Sequence, residues 1–380
     1  MILGENIGSV YSKGREIQRV FSYGKLVWEK ESDDIYSNIP FTVQAVKDAS
    51  ISLKDIDSNV IKFNYSLNGG EWKTTDTISI KKNDIISIKA NNAAYCKISG
   101  LSDIYGNIMS LLYGDNYKNQ TVWLEELCYE SSIDGYFLSS DIRNAKNLIL
   151  PATTLTPYCY YSMFFGCTSL TTAPELPATT LAFACYKSMF GDCDSLTTAP
   201  ELPATTLANY CYDSMFLGCD SLTTAPELPA TTLATYCYSH MFGYCTSLTT
   251  SPELPATTMA VGCYFNMFVN CTSLTTSPEL PATTLSSRCY DSMFADCTSL
   301  TTSPELPATT LEYYCYDGMF ENCTLINYIK CYATNNIESN ASGWTNGIST
   351  NGKLLCKSID GGKNPLEDYI PSTWTVEYLT

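Results

Sequence analysis

Between residues 144 and 330 apolar residues recur with two rhythms, one of four positions and one of 26. In the stretch "ATTLAFACYKSMFGDC" (178–193), Leu181, Cys185, Met189 and Cys193 stand four apart. At about 100° per residue these side chains share an arc of about 120°, and Tyr186 and Phe190 widen it to a half-turn. The spacing predicts a short amphipathic helix. Thr179 or Thr180 is its expected N-cap, because a threonine hydroxyl accepts an orphan backbone N–H of the first turn. The preceding stretch "LTTAPELP" (170–177) carries Leu170, Ala173 and Leu176 and is closed by prolines, which predicts a short extended segment that cannot continue as helix.

The longer rhythm is strict. Cys159, Cys185, Cys211, Cys237, Cys263, Cys289 and Cys315 follow one another at steps of 26, and the best-matched units begin at Leu170, Leu196, Leu222, Leu248, Leu274 and Leu300. A worn copy, "NLILPATTL" (147–155), lies upstream. A fixed period of about 20–29 residues marks the leucine-rich-repeat range. One strand–helix unit cannot bury its own apolar face, whereas stacked copies give each Leu, Cys, Met and Phe a counterpart above and below. At about 4.8 Å between strands, seven coils make a strand face roughly 30–35 Å long. The expected fold class is therefore an α/β solenoid of leucine-rich-repeat type, preceded by small all-β domains.

The flanks read differently. "IGSVYSKGREIQRVFSYGKLVWEK" (7–30) places Val10, Ile17, Val20, Leu26 and Trp28 in alternation, with turn signals at Lys13-Gly14 and Tyr23-Gly24, and predicts three short antiparallel strands. Period-two stretches such as "VIKFNYSLNGGEWKTT" and "DIISIKANN" predict a small β-sandwich. After Cys323 the unit decays into "LINYIKCYATNN" and a Gly-, Trp- and Asn-rich tail, as a terminal cap must. The expected organisation is an N-terminal β anchor (1–38), a sandwich-like domain (39–104), a connector and N-terminal cap (105–143), the solenoid (144–330) and a C-terminal cap (331–380).

Charge narrows the function classes. A net charge of −17 argues against nucleic acid, whose readers need clustered Lys and Arg to displace counterions. No stretch approaches the roughly 18 consecutive apolar residues of a membrane helix, and the start lacks a signal-peptide run, so neither membrane insertion nor secretion is expected. The 18 cysteines would ordinarily suggest an oxidised, secreted chain. Each full unit holds a C-x7-C pair that could be a disulfide, a metal site or a pair of buried thiols. A helix separates the two Cα atoms by about 12 Å, beyond the roughly 7 Å reach of a disulfide. Zinc wants four converging N or S ligands, and His240 is the only histidine. Buried free thiols are expected, with no metal and no cofactor.

No catalytic constellation stands out. His240 occupies a column otherwise filled by Ser162, Ser188, Ser214, Asn266, Ser292 and Gly318, with no unique nucleophile beside it. Glu175, Glu201, Glu227, Glu253, Glu279 and Glu305 form one acidic column, which a solvated edge tolerates. The tyrosines that follow each repeat cysteine, Tyr160 to Tyr316, are expected to pack inside. The variable positions just before that cysteine supply the candidate ligand-binding residues: Tyr158, Phe183, Tyr210, Tyr236, Arg288, Tyr313 and Tyr314. Aromatics among small polar residues are what adaptable binding faces use.

The repeat "MFLGCDSLTTAPELPATTLATYCY", with "YGNIMSLL" (105–112) and "LINYIKCYAT" (325–334), resembles the BspA-like leucine-rich-repeat proteins of gut anaerobes over about residues 40–380. That resemblance implies a bacterial surface or adhesive role through protein or glycan binding, without enzyme activity. The start, "ENIGSVYSKGREIQRVFSYGKLVWEK", is similar to N-terminal segments of phage tail and fibre proteins. Together they imply a non-enzymatic virion protein whose N-terminal strands contact other virion proteins and whose solenoid meets a host surface protein or glycan. It would sit in the virion, with further copies of the same chain among its expected partners. The alternative is a bacterial cell-surface adhesin, and a polymer-degrading enzyme lacks residues to carry it.

Overall fold

A computed structural model of the chain describes residues 36–121, 136–338 and 340–379 in full, and upstream of them the backbone of four short strands. Those strands form two hairpins where three strands were expected. β1 (Val10–Ser12) pairs with β2 (Arg15–Ile17), and β3 (Arg19–Ser22) with β4 (Lys25–Glu29). The expectations for the side chains of 1–35 and for the connector at 122–135 lie outside the described residues.

The regular elements are mostly strands, with few helices. β5 (Thr42–Ala45), β7 (Phe63–Leu67), β8 (Trp72–Thr75), β10 (Ile85–Lys89), β12 (Ser102–Asn107) and β13 (Ile142–Ile149) form a six-stranded sheet in the order β13-β12-β5-β10-β7-β8. β6 (Ala49–Lys54), β9 (Thr77–Ile80) and β11 (Tyr95–Ser99) form a three-stranded sheet in the order β11-β6-β9. Alternation along β6 buries Ala49, Ile51 and Leu53 and turns the residues between them outward. The one α-helix among the described residues is α1, Ser110–Tyr113. β13 pairs parallel with β12, so the first coil of the repeat grows directly from the sheet.

From that edge the 26-residue units lie one on the next. Tyr160, Tyr186, Tyr212, Tyr238, Tyr264, Tyr290 and Tyr316 stack ring on ring at 5.6 to 6.1 Å. Phe164 to Phe320 stack likewise at 5.5 to 5.9 Å. The phenylalanine file begins in the sheet core, through Phe41 and Phe137, and ends on Trp344. From the last unit onward, β14 (Glu305–Leu306), β15 (Tyr328–Cys331), β16 (Lys353–Cys356) and β17 (Thr375–Tyr378) close the stack as a parallel sheet. The arrangement is compatible with a repeat solenoid.

The expected helix is absent from the described units, and the α/β class needs correction on that point. In 182–193 the chain runs as successive four-residue turns. Cys185, Lys187, Met189, Gly191 and Cys193 each donate to the carbonyl three residues back. The residues between them donate out of the coil: Tyr186 to Cys211 O, Ser188 to Asp213 O and Phe190 to Met215 O, at 2.9 to 3.0 Å. Every fourth residue is left-handed, as in Ala184, Ser188 and Asp192 at φ 50°, 54° and 54°. Spacing explains the outcome. Rings under 6.2 Å apart fix a layer thickness that helices cannot share, because packed helix axes stand about 8–10 Å apart. A chain of flat turns fits and exports half its N–H groups to the neighbouring layer. Thr179 and Thr180 cap no helix; their N–H groups reach Thr153 O in the preceding coil.

The extended half is joined by single parallel bridges such as Thr224 to Thr250, Thr250 to Thr276 and Thr276 to Thr302. Prolines on both sides of each Glu-Leu pair remove donors and interrupt any longer ladder. Only where the next coil reads "YIKC" without proline does a strand pair, β14 with β15, form.

The seventeen described cysteines are all buried as free thiols, and Cys128 lies outside the described residues. The second cysteine of each unit donates its S–H across the layers: Cys193 to Phe164 O at 3.2 Å, Cys219 to Phe190 O at 3.1 Å and Cys245 to Phe216 O at 3.0 Å. Burial pushes the Cys185, Cys263 and Cys315 thiols up to about 12. These sulfurs fill space and satisfy carbonyls, and they are poor nucleophiles there.

Candidate binding face

Each four-residue turn sends two side chains inward and leaves two near the surface. In one coil Cys185, Tyr186, Met189 and Phe190 are buried while Phe183, Lys187 and Asp192 reach solvent to varying degrees. Repeated at 26-residue offsets, the outer positions become columns on one side of the stack. Every candidate aromatic falls there.

The columns form a ridge. Tyr158 meets Phe183 edge-on at 5.3 Å, Phe183 meets Tyr210 at 5.4 Å, and Tyr210 stacks on Tyr236 at 5.2 Å and 14°. Tyr236 lies over Gly262, where a Cβ would stand 2.2 Å from a ring carbon; with φ at 58°, glycine is required there. The ridge resumes with Arg288, whose guanidinium lies 5.9 Å from the Phe265 ring and 5.4 Å from that of Tyr314. Tyr313, 55 % exposed, rests against Tyr314 at 4.1 Å. The seven sequence candidates thus occupy one face in two groups, Tyr158 to Tyr236 and Arg288 to Tyr314, parted at Gly262.

Three contributors were not singled out from the sequence: Tyr161, Lys187 and Phe265. Tyr161 meets Tyr158 at 6.1 Å, Lys187 lies 5.4 Å from the Tyr210 ring, and Phe265 stands edge-on to Tyr236 at 6.3 Å. All belong to the column three residues beyond Tyr158, which continues through Asp213, Ser239, Asp291 and Asp317. Its composition changes from coil to coil as the first column's does, and that was the available signal.

A row of polar groups underlies the ridge. Lys187 pairs with the buried Asp213 at 3.0 Å, and Ser214 donates to Asp213 at 3.0 Å. His240 Nδ1 lies 2.9 Å from Ser239 Oγ, and its Nε2 lies 3.0 Å from Asn266 Nδ2. With the amide donating to Nε2, the ring proton resides on Nδ1 and points at Ser239, which leaves the imidazole no free lone pair to activate that hydroxyl. Burial holds the His240 pKa below its ordinary value. Burial also raises Asp291 to about 6, with Asp317 adding to the rise, while Ser292 and Arg288, 3.7 Å away, oppose it. Among the described residues no group of three His, Cys, Asp or Glu converges on a metal position.

The opposite, extended face is uniform. The glutamates of its column are exposed, and shallow pockets of about 350 Å³ recur between coils, each lined by Pro-Glu-Leu-Pro of one unit and the prolines of the next. The column ends where Lys330 pairs with Glu305 at 3.0 Å.

No protein-family model and no curated protein matches the chain. Among the described residues no helix is long and apolar enough to cross a membrane.

Proposed function

We propose that the chain is a non-enzymatic binding protein of the BspA-like leucine-rich-repeat kind, built as a solenoid and carried on a phage particle as a tail or fibre component. In this reading the two N-terminal hairpins contact other virion proteins, and the ridge from Tyr158 to Tyr314 meets a receptor on the host surface. The supporting observation is the division of labour between columns: inner positions repeat almost unchanged, whereas the partly exposed outer columns vary among the coils. A rigid stack with a variable rim suits recognition.

Ring geometry favours a protein receptor over a stacked sugar. Tyr210 has Lys187 and Tyr236 against it, and Tyr236 lies between Tyr210 and Gly262. The faces of these two rings are occupied, so they present ring edges and phenol hydroxyls, where a sugar platform needs an open face. Mass spectrometry of purified particles tests the placement: the chain should co-purify with capsid and tail proteins, and its absence from particles would refute it. The resemblance of the repeat supports a second reading, a bacterial cell-surface adhesin; recovery from the host envelope alone would favour it.

A further inference from the structure

A pocket of about 450 Å³ opens where the three-stranded sheet meets the start of the stack, and none of the ridge candidates lines it. β6 supplies Ser52 and Lys54, β11 supplies Tyr95 and Lys97, and the chain entering the first coil supplies Leu138 and Ser139. The strands pair antiparallel with Tyr95 opposite Lys54 and Lys97 opposite Ser52, so both lysines leave the same face of the sheet. Lys97 is anchored: its ammonium donates to Leu138 O at 3.1 Å and to Ser139 O at 2.5 Å. Two of its three protons are thereby used, and the third remains for a ligand. Among the described residues no carboxylate pairs with either lysine, although the chain carries 39 acidic residues against 22 basic ones. Two ammonium groups that no described carboxylate pairs, beside serine hydroxyls in a concavity of ordinary small-molecule size, are the recognition chemistry of an anion that also carries hydroxyls.

We infer that this pocket binds an acidic sugar, with Lys54 and Lys97 on its carboxylate or phosphate and the serines on its ring hydroxyls. The site is separate from the ridge and independent of the receptor reading given above. The experiment is calorimetric titration of the full chain with glucuronate, glucose 6-phosphate, glucose and inorganic phosphate, at low and at high sodium chloride. Either charged sugar, or both, should bind at least about tenfold more tightly than glucose and than inorganic phosphate, and should weaken in high salt. Whichever of the two binds identifies carboxylate or phosphate as the anionic group. Lys54→Gln and Lys97→Gln should each cost about tenfold, the loss of one charge-assisted contact, while Tyr210→Ala leaves the titration unchanged. Lys97 also tethers the first coil, so Lys54→Gln, at an exposed position with no ion-pair partner among the described residues, is the variant that decides. Absence of binding, equal affinity for glucose or for inorganic phosphate, or full affinity in Lys54→Gln would each overturn the assignment.

Discussion

Each buried side chain in the stack answers to the copy of itself 26 residues away, and this sets what single substitutions do. Met215 is fully buried, as are Met189 and Met241 one period to either side, so Met215→Ala should cost about 2–5 kcal/mol in urea unfolding. Tyr212 differs: its ring stacks on both neighbours, but its hydroxyl is buried without a hydrogen-bond partner. Tyr212→Phe keeps the stack and removes an unsatisfied group, so stability should stay within about 0.5 kcal/mol of the parent or rise. Titration follows the same logic. Asp291 is raised to about 6 from its ordinary value of 3.8, so the folded state binds its proton more tightly. Its contribution to stability therefore grows as pH falls from about 6 towards 4, and at pH 7 the buried carboxylate is a liability. His240, held low, acts oppositely and loses stability as pH falls below its ordinary value of 6.5. Comparing the parent with Asp291→Asn cancels the histidine: the variant should be the more stable at pH 7, and the gap should narrow towards pH 4.

At the scale of the element, the four-residue rhythm was legible and its geometry was not. A helix and a chain of four-residue turns both return a side chain to the same side after four residues, so Leu181, Cys185, Met189 and Cys193 fit either. The discriminating signal was the column Gly166, Asp192, Gly218, Tyr244, Asn270, Asp296 and Asn322, dominated by the residues that best tolerate a left-handed backbone. Tyr244 is the exception, exposed and at φ 61°. Tyr244→Asn should therefore be neutral or stabilising by a few tenths of a kcal/mol, and Tyr244→Val, β-branched in that region, destabilising by about 1 kcal/mol or more in thermal unfolding. Far-ultraviolet circular dichroism should lack the paired helical minima. The pocket at Lys54 and Lys97 was beyond sequence reading for another reason: residues 52, 97 and 139 meet only through sheet pairing and the entry to the first coil.

Across the whole molecule the repeats should behave as one cooperative body whose layers are interchangeable. Deleting residues 222–247, a full period, should leave a folded protein of slightly lower stability, whereas deleting 24 residues from the same place should unfold it, because every inner column would then face a mismatch. The thiols report the same continuity. At pH 8 a disulfide-exchange reagent should find essentially no reactive repeat cysteine until denaturant is added. Because the folded thiol pKa values are raised, stability is fully present below about pH 9 and should fall as pH climbs towards 12. The 26-residue period, the inward columns and the candidate aromatics could all be read from the chain, since each is a property of one repeated sentence. Association with a particle or a host surface depends on other molecules.

The most direct test of the stacked architecture is a distance. Nitroxide labels attached through keto-bearing residues at Glu175 and Glu305, which avoids the cysteines, lie five coils apart on the exposed glutamate column. At about 4.8 Å per coil the account predicts a narrow distribution centred near 24 Å, broadened only by the label arms. A broad distribution extending past about 40 Å, as separately folded units would give, would contradict it.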